Sequence, residues 1–269
     1  MANKLDDIIH DLEGEHAAFA AVLEQMSPAQ WDLPTHAPGW AARDQVAHLT
    51  HFDLAATRAL KDPEAFGDEV RAAAASGRNV EAEYLAVGRG QAPGALLASW
   101  KAASAALIEA AKAAAPDARL PWYGPSMGAV SFLTARLMET WSHGLDVVDV
   151  VGIERPDSDR LRHVTFLGMQ TRPFSYSNRG LEPPLVPVRV ELQAPGGETW
   201  TFGEESESDT IRGSATDFCR VVTQRRHLAD TALEVRGPAA TEWMSLAQAF
   251  AGPPGKGRAP GEFAADGVR

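Results

Sequence analysis

The stretch LMETWSHGLDVVDV, residues 137–150, decides the fold of this 269-residue chain. Its apolar side chains recur at helical spacing and extend one turn upstream, as Leu133, Leu137, Trp141, Leu145 and Val148. This pattern predicts a helix over about 128–151 that stops at Gly152. Phe132 and Val150 lie away from the apolar stripe, so the helix is apolar nearly all round. Such a helix is typical of a buried position in a bundle.

Two polar residues interrupt this apolar surface, Glu139 and His143. Residues four apart on a helix share a face, with Cβ atoms roughly 5–6 Å apart. A buried Glu and a buried His both need partners, because an unpaired buried charge is costly. Together they can hold two corners of a metal site, and a third ligand from another helix would leave one position open, as in catalytic zinc sites. The competing interpretation is a structural hydrogen bond between them.

A third ligand could come from PGWAARDQVAHL, residues 38–49, where a predicted helix begins near Ala42. His48 is one candidate. His51 lies about one turn further on and shares much of the same face, so spacing alone leaves the two in competition. Asp44 lies one turn before His48, where it could orient a ligand imidazole. It could equally be an acid favoured by the helix N-terminus.

The first 152 residues are predicted to be helical. Apolar periodicity gives long helices at about 4–26, 42–60, 94–115 and 128–151. Four long helices joined by loops predict a four-helix bundle. Residues 61–92 are rich in Gly, Pro and charges, and we assign only part of them to helix.

The second half has a different pattern and predicts a small α+β domain over 153–251. A helix over 157–178 is interrupted at Pro173. Alternation on both sides of Pro195–Gly197 predicts a β-hairpin. The remaining elements are a strand near Thr210–Arg212, a helix over 215–226, the strand TALEVRG and the helix PAATEWMSLAQAFA. Residues 252–269 are rich in Gly and Pro and predict a flexible tail. The chain is therefore expected to be an α+β protein.

Composition narrows the class of protein. The net charge of −11 argues against nucleic acid and against an anionic membrane surface as partners. No apolar run approaches the ~18 residues of a membrane span, and the N-terminus lacks the apolar region of a signal peptide. The single cysteine, Cys219, excludes an internal disulfide. We expect a cytoplasmic protein whose partners are small molecules, and a homodimer is compatible with the sequence.

Two segments carry a family resemblance. PGWAARDQVAHL, followed about ninety residues later by ETWSHGLDVVDV, resembles the N-terminal domain of mycothiol-dependent maleylpyruvate isomerases, within the DinB-like metal-binding four-helix-bundle superfamily. The resemblance covers about residues 5–152. The second half, from VPVRVELQAP to WMSLAQAFAG, is similar to the α+β domain that accompanies this bundle in actinobacterial members. RHVTFLGMQTRPFSYSNRGLEPP is similar to a subgroup labelled wyosine-base-formation-like.

The resemblance implies a divalent metal, most often Zn²⁺, held by His48, Glu139 and His143. It also implies mycothiol, a low-molecular-weight thiol, as co-substrate. An arginine of the C-terminal domain takes part in family catalysis, and Arg225 or Arg226 is its nearest match. The family often shows Gly-Arg there, whereas this chain has QRRH.

The function that the candidate metal site and the resemblance together lead us to expect is the transfer of the thiol to a small electrophile, or the isomerisation of that electrophile. Arg225 or Arg226 would bind an anionic substrate carboxylate. Asp146 shares the face of His143 and could bind polar groups of the thiol, although a structural role suits it equally well. Two alternatives remain open, a non-catalytic metal- or small-molecule-binding protein and a hydrolase that uses metal-bound water.

Overall fold

The computed structural model describes residues 4–263, which divide between Arg155 and Pro156 into two compact units. The first unit is helical apart from one small hairpin. Its helices are α1 Lys4–Gln25, α2 Ala42–Lys61, α3 Pro63–Ser76, α4 Val80–Arg89, α5 Pro93–Lys112 and α6 Ala129–Val151. The hairpin pairs β1 Arg119–Leu120 with β2 Met127–Gly128, and a short 3₁₀ helix spans Pro28–Asp32. The α+β class predicted from the sequence is confirmed.

Four long helices form the bundle. α1 packs on α5 and α6, and α2 packs on the same two helices, so the four close a ring around one core. The core is filled by large side chains such as Phe19, Leu49 and Trp100, each fully buried. α6 is buried nearly all round, as its sequence predicts.

Two further helices, α3 and α4, cover α2. They occupy the region that the sequence left largely unassigned. The Asp62 side chain caps α3 by accepting a hydrogen bond from Ala65, and Asn79 caps α4 through Ala82. α4 approaches α2 so closely that a Cβ added at Gly88 would collide with Ala47. This close approach brings side chains of α4 next to those of α2.

The second unit is built on a four-stranded sheet. Its elements are α7 Leu161–Gln170, α8 Arg172–Ser177, β3 Arg189–Gln193, β4 Thr199–Phe202, β5 Thr210–Ser214, α9 Ala215–Val222, β6 Glu234–Arg236 and α10 Pro238–Leu246. The strand order is β4-β3-β5-β6; β3 and β5 are parallel and the other pairs antiparallel. The predicted hairpin is present, with Leu192 opposite Trp200. The predicted break near Pro173 separates α7 from α8.

The structure differs from the sequence prediction at the end of α9 and in the segment that follows α10. The helix expected over 215–226 ends at Val222, because Gln224 takes a left-handed backbone conformation with φ of 57°. Of the predicted tail, residues 252–263 are tied back by hydrogen bonds, including one from Gly255 to the side chain of Gln248 and one from Gly261 to Asp230. Residues 264–269 lie outside the described part of the chain.

Candidate metal centre

Helix α6 places Glu139 and His143 on one face, as the four-residue spacing predicts. Oε2 of Glu139 lies 3.1 Å from Nε2 of His143. Their side chains are 22% and 13% exposed. The pair is therefore largely enclosed but still within reach of a small molecule.

Helix α2 brings a second imidazole to the same carboxylate. Nε2 of His48 lies 3.4 Å from Oε2 of Glu139. His51 points to other neighbours, since its ring stacks on Tyr84 at 4.8 Å with 25° between the planes. The structure thus selects His48 rather than His51 as the neighbour of Glu139 and His143. Among the residues described, these three form the one group of His, Cys, Asp and Glu that could hold a metal ion, with ligand atoms within 4.8 Å of one another.

The spacing of these atoms suits a small divalent ion. Ligands about 2.0–2.1 Å from a tetrahedral ion lie about 3.3–3.4 Å from one another. The two distances to Glu139, 3.1 and 3.4 Å, are close to this value. Two imidazoles and one carboxylate also match a donor set of catalytic zinc sites.

Gln45 fixes the orientation of His143. Its Oε1 lies 2.6 Å from Nδ1 of His143, and its Nε2 donates to Oγ1 of Thr35 at 2.9 Å. The Thr35 hydroxyl donates its hydrogen to the carbonyl of Trp40, so it can only accept a hydrogen bond from Gln45. The amide nitrogen of Gln45 must therefore point to Thr35, and the amide oxygen points to His143.

Both ring nitrogens of His143 therefore face acceptors. Nδ1 faces the Gln45 oxygen and Nε2 faces the Glu139 carboxylate. A neutral imidazole carries one N–H, so it satisfies only one of them. A cation, either a proton or a metal ion, must lie between Nε2 and Glu139 to satisfy the other. This arrangement is the strongest structural observation in favour of a metal at this place.

Tyr84 of α4 contacts the other imidazole. Its hydroxyl lies 3.1 Å from Nδ1 of His48. Burial, followed by the nearby Glu81 and Glu139, raises the pKa of Tyr84, so the phenol keeps its proton. A phenol both donates and accepts, so Tyr84 can accept from Nδ1–H when Nε2 of His48 turns its lone pair to a metal.

Aromatic rings enclose the centre. Trp40 stacks on His143 with ring centroids 6.0 Å apart and lies 5.4 Å from His48. Phe52 packs on the other histidine, with its centroid 4.5 Å from that of His48. These rings exclude water and lower the local dielectric, which strengthens electrostatic interactions within the centre.

The charge states match those of metal ligands. Burial, with a further contribution from His143, lowers the pKa of His48 to about 3, so this imidazole is neutral. Burial opposes ionisation of Glu139 and is the largest influence on its pKa. The hydrogen bonds to His143 and His48 nevertheless outweigh it and hold the pKa of Glu139 well below its usual range. Metal ligation requires a neutral imidazole and an ionised carboxylate, and these two residues already have those forms.

The recorded hydrogen bonds of the Asp44 carboxylate are structural ones. The carboxylate accepts from the backbone N–H of Ala41 at 2.9 Å and pairs with both Nε and Nη2 of Arg89 at 2.9 Å. Arg89 also donates to the carbonyl of Gly39. This network ties the loop that carries Trp40 to α4.

The remaining predicted site residues lie elsewhere in the chain. Asp146 is 1% exposed on α6, one turn beyond His143. Arg225 and Arg226 belong to the second unit and follow α9 in a loop, where both backbone N–H groups donate to the carbonyl of Arg220. The guanidinium of Arg226 also lies 3.7 Å from the ring centre of Phe263. Their roles in substrate binding stay predictions.

Sequence reasoning missed Gln45 and Tyr84 as contacts of the imidazoles. Gln45 carried a usable signal, since a polar residue one turn before His48 on an inward-facing helix needs a partner. Tyr84 carried none, because its helix had not been located.

The first unit is thus a helical bundle in which two imidazoles and one carboxylate are grouped so that they could hold a metal ion. The family model of the mycothiol maleylpyruvate isomerase N-terminal domain matches residues 12–148, about half of the chain. The chain therefore belongs to that family.

Curated relatives and solved structures similar to this chain are also found. Two curated relatives, both described as uncharacterised proteins of Mycobacterium tuberculosis (strains CDC 1551 / Oshkosh and ATCC 25618 / H37Rv), are 40% identical over 250 residues, 93% of this chain and 97% of theirs. The crystal structures of the mycothiol-dependent maleylpyruvate isomerase and of a histidine-to-alanine mutant of it are similar in fold. Each matches with a TM-score of 0.58 and 15% sequence identity, over 84% of this chain and 93% of the isomerase chain. No helix among residues 4–263 is long and apolar enough to cross a membrane.

Proposed function

We propose that this protein is a divalent-metal-dependent enzyme that uses mycothiol as co-substrate. The enzyme would either transfer the thiol to a small electrophile or isomerise that electrophile. The observation that supports the proposal is the position of His143 between two acceptors, Gln45 and Glu139, because a metal ion at Nε2 of His143 would satisfy the second of them. Family membership supplies the thiol.

His48, Glu139 and His143 would hold the metal, with Zn²⁺ best suited to the donor set. When bound, the cation would stabilise the thiolate form of mycothiol at neutral pH. Glu139 serves as a ligand rather than a general base, because its carboxylate faces both imidazoles. Gln45 and Tyr84 orient the two rings through their Nδ1 atoms, and Trp40 and Phe52 keep water from the centre.

The residues proposed for the substrates are Asp146, Arg225 and Arg226. Asp146 would bind the amine or hydroxyl groups of the thiol. An arginine guanidinium, from Arg225 or Arg226, would pair in bidentate fashion with a substrate carboxylate.

The test is turnover by tag-free protein supplied with zinc and mycothiol. Maleylpyruvate, named in the family, is the first substrate, followed by activated alkenes and epoxides, with products and thiol adducts identified by mass spectrometry. We expect conversion that requires mycothiol, stops with a chelator and is lost in His143→Ala. His10→Ala, which changes an exposed histidine of α1, is the matched control and should retain activity.

Metal-loaded protein that binds mycothiol but converts none of these compounds would contradict an enzymatic role and favour a binding protein. Conversion that persists without mycothiol would favour the hydrolase alternative.

A further inference from the structure

A cavity lies in the first unit, beside the metal centre but not lined by its three candidate ligands. Its volume is about 560 Å³, it is open to solvent on one side, and most of its lining comes from α2, α3 and α4, with Leu96 of α5 and Tyr123. Small-molecule sites typically measure about 300–1,000 Å³. The cavity is therefore large enough for a ligand of its own.

Exposed apolar side chains converge on this cavity. The described residues of the first unit include three large hydrophobic side chains that are strongly exposed, Leu54 at 43%, Val87 at 64% and Tyr123 at 43%. All three line the cavity. Apolar surface gathered at the mouth of a cavity is typical of a binding site, whereas apolar residues scattered singly are ordinary.

The walls indicate the shape of the ligand. His51 and Tyr84 line the cavity as a stacked pair, with 25° between their planes, and Tyr123 adds a third ring. Aromatic walls favour a flat ring that can stack or meet them edge to face.

The charged residues of the lining indicate that the ligand is uncharged. They are Glu69, Arg78 and Glu83. Glu69 is paired with Arg58, and Arg78 with Glu83. Each charge is thus already matched within the chain, and an anionic or cationic ligand would have to compete with an existing ion pair.

We infer that this cavity is a binding site for a small, uncharged molecule with a flat aromatic body. It is distinct from the centre formed by His48, Glu139 and His143, and it does not depend on the proposed function. Tyr84 is shared by both, since its ring lines the cavity and its hydroxyl contacts His48.

The test uses N-phenyl-1-naphthylamine, an uncharged fluorescent aromatic probe, with the full-length protein as purified. We expect saturable binding at one site per chain. Ala73→Phe fills the cavity from α3 and should weaken binding about tenfold or more. The control is Ala74→Phe, which makes the same change at the next, exposed position outside the lining and should bind like the unaltered protein.

A second pair of variants tests the same cavity in case Ala73→Phe disturbs folding. Val87→Glu places a charge at the mouth of the cavity, and Ala86→Glu places it on exposed surface of α4 outside the lining. Only Val87→Glu should weaken binding. The inference is overturned if the probe does not bind saturably, if neither cavity variant binds less than its control, or if the anionic analogue 8-anilino-1-naphthalenesulfonate binds more tightly than the uncharged probe.

Discussion

Two polar clusters lie in the same helical bundle and differ in where their positive charge comes from. In one, Arg136 of α6 donates to Asp53 of α2 at 2.8 Å, and both side chains are almost fully buried. In the other, Glu139 is the acid, and its neighbours are the imidazoles of His48 and His143. Within residues 4–263, no lysine or arginine forms an ion pair with Glu139.

The difference separates a structural cluster from a candidate binding centre. Asp53, Asp44 and Glu15 are all buried acids, and each is paired with an arginine of the same unit. A buried acid that the chain neutralises by itself needs no ligand. Glu139 lacks such a partner, and its neighbour His143 is held by the amide oxygen of Gln45, so a proton or a metal ion is needed between Nε2 of His143 and Glu139.

The largest effect is expected when the buried ion pair between Asp53 and Arg136 is broken. Arg136→Met removes the partner of Asp53 and leaves a buried carboxylate unpaired, which should lower the free energy of unfolding by about 3–5 kcal/mol. Urea unfolding measures the loss. Arg58→Met removes the exposed partner of Glu69 and should cost about 0–1 kcal/mol. Equal losses in the two variants would contradict the structural role given to Arg136.

The next effect concerns the contacts behind the imidazoles. Gln45→Ala and Tyr84→Phe should each weaken metal binding about 10–100-fold, because neighbours of this kind fix the tautomer and orientation of a ligand histidine. Competition with a chromogenic chelator measures the dissociation constant. Tyr123→Phe removes a phenol hydroxyl that is not placed against either imidazole and serves as the control. Unchanged affinity in Gln45→Ala would show that His143 is oriented by other means.

The smallest effect is a pH dependence of stability near the Asp53–Arg136 cluster. His16 of α1 is 6% exposed, and burial lowers its pKa from the usual value of 6.5 despite the opposing charge of Asp53. The unfolded chain therefore binds a proton at His16 that the folded chain does not. This stability is fully present above pH 6.5 and is lost as the pH falls below it, by at most about 1.4 kcal/mol per pH unit.

His16→Gln should flatten this slope in metal-free protein, as measured by urea unfolding at several pH values between 7 and 5. His10→Gln changes an exposed histidine of the same helix and should leave the slope unchanged. A slope that is equally steep in His16→Gln would mean that other groups produce it.

Sequence patterns predicted the long helices because each presents an apolar stripe to one core. They also predicted the approach of Glu139 and His143, which share one helix and therefore one face. The choice of His48 over His51 could not be made from spacing, since both lie on a similar face of α2. It depends on how α2 packs against α6, and the family resemblance supplied it.

The sequence could indicate that Gln45 needs a partner, but it could not identify the atoms that Gln45 and Tyr84 contact, for a related reason. These contacts join residues 36 and 98 positions apart, so they depend on tertiary packing. Part of residues 61–92 was assigned to helix, but the bounds of α3 and α4 were not located, although Asp62, Asn79 and Gly77 carried capping signals at their ends. The early end of α9 depends on the left-handed backbone of Gln224, a residue type with no marked preference for that conformation.

The most direct test of the central claim is the metal content of protein purified without a histidine tag and supplied with zinc. The account predicts one equivalent per chain, lost in His48→Ala and in His143→Ala but retained in His51→Ala, which removes the neighbouring histidine of the same helix. Metal retained in both ligand variants, or no metal bound by the unaltered protein, would contradict it.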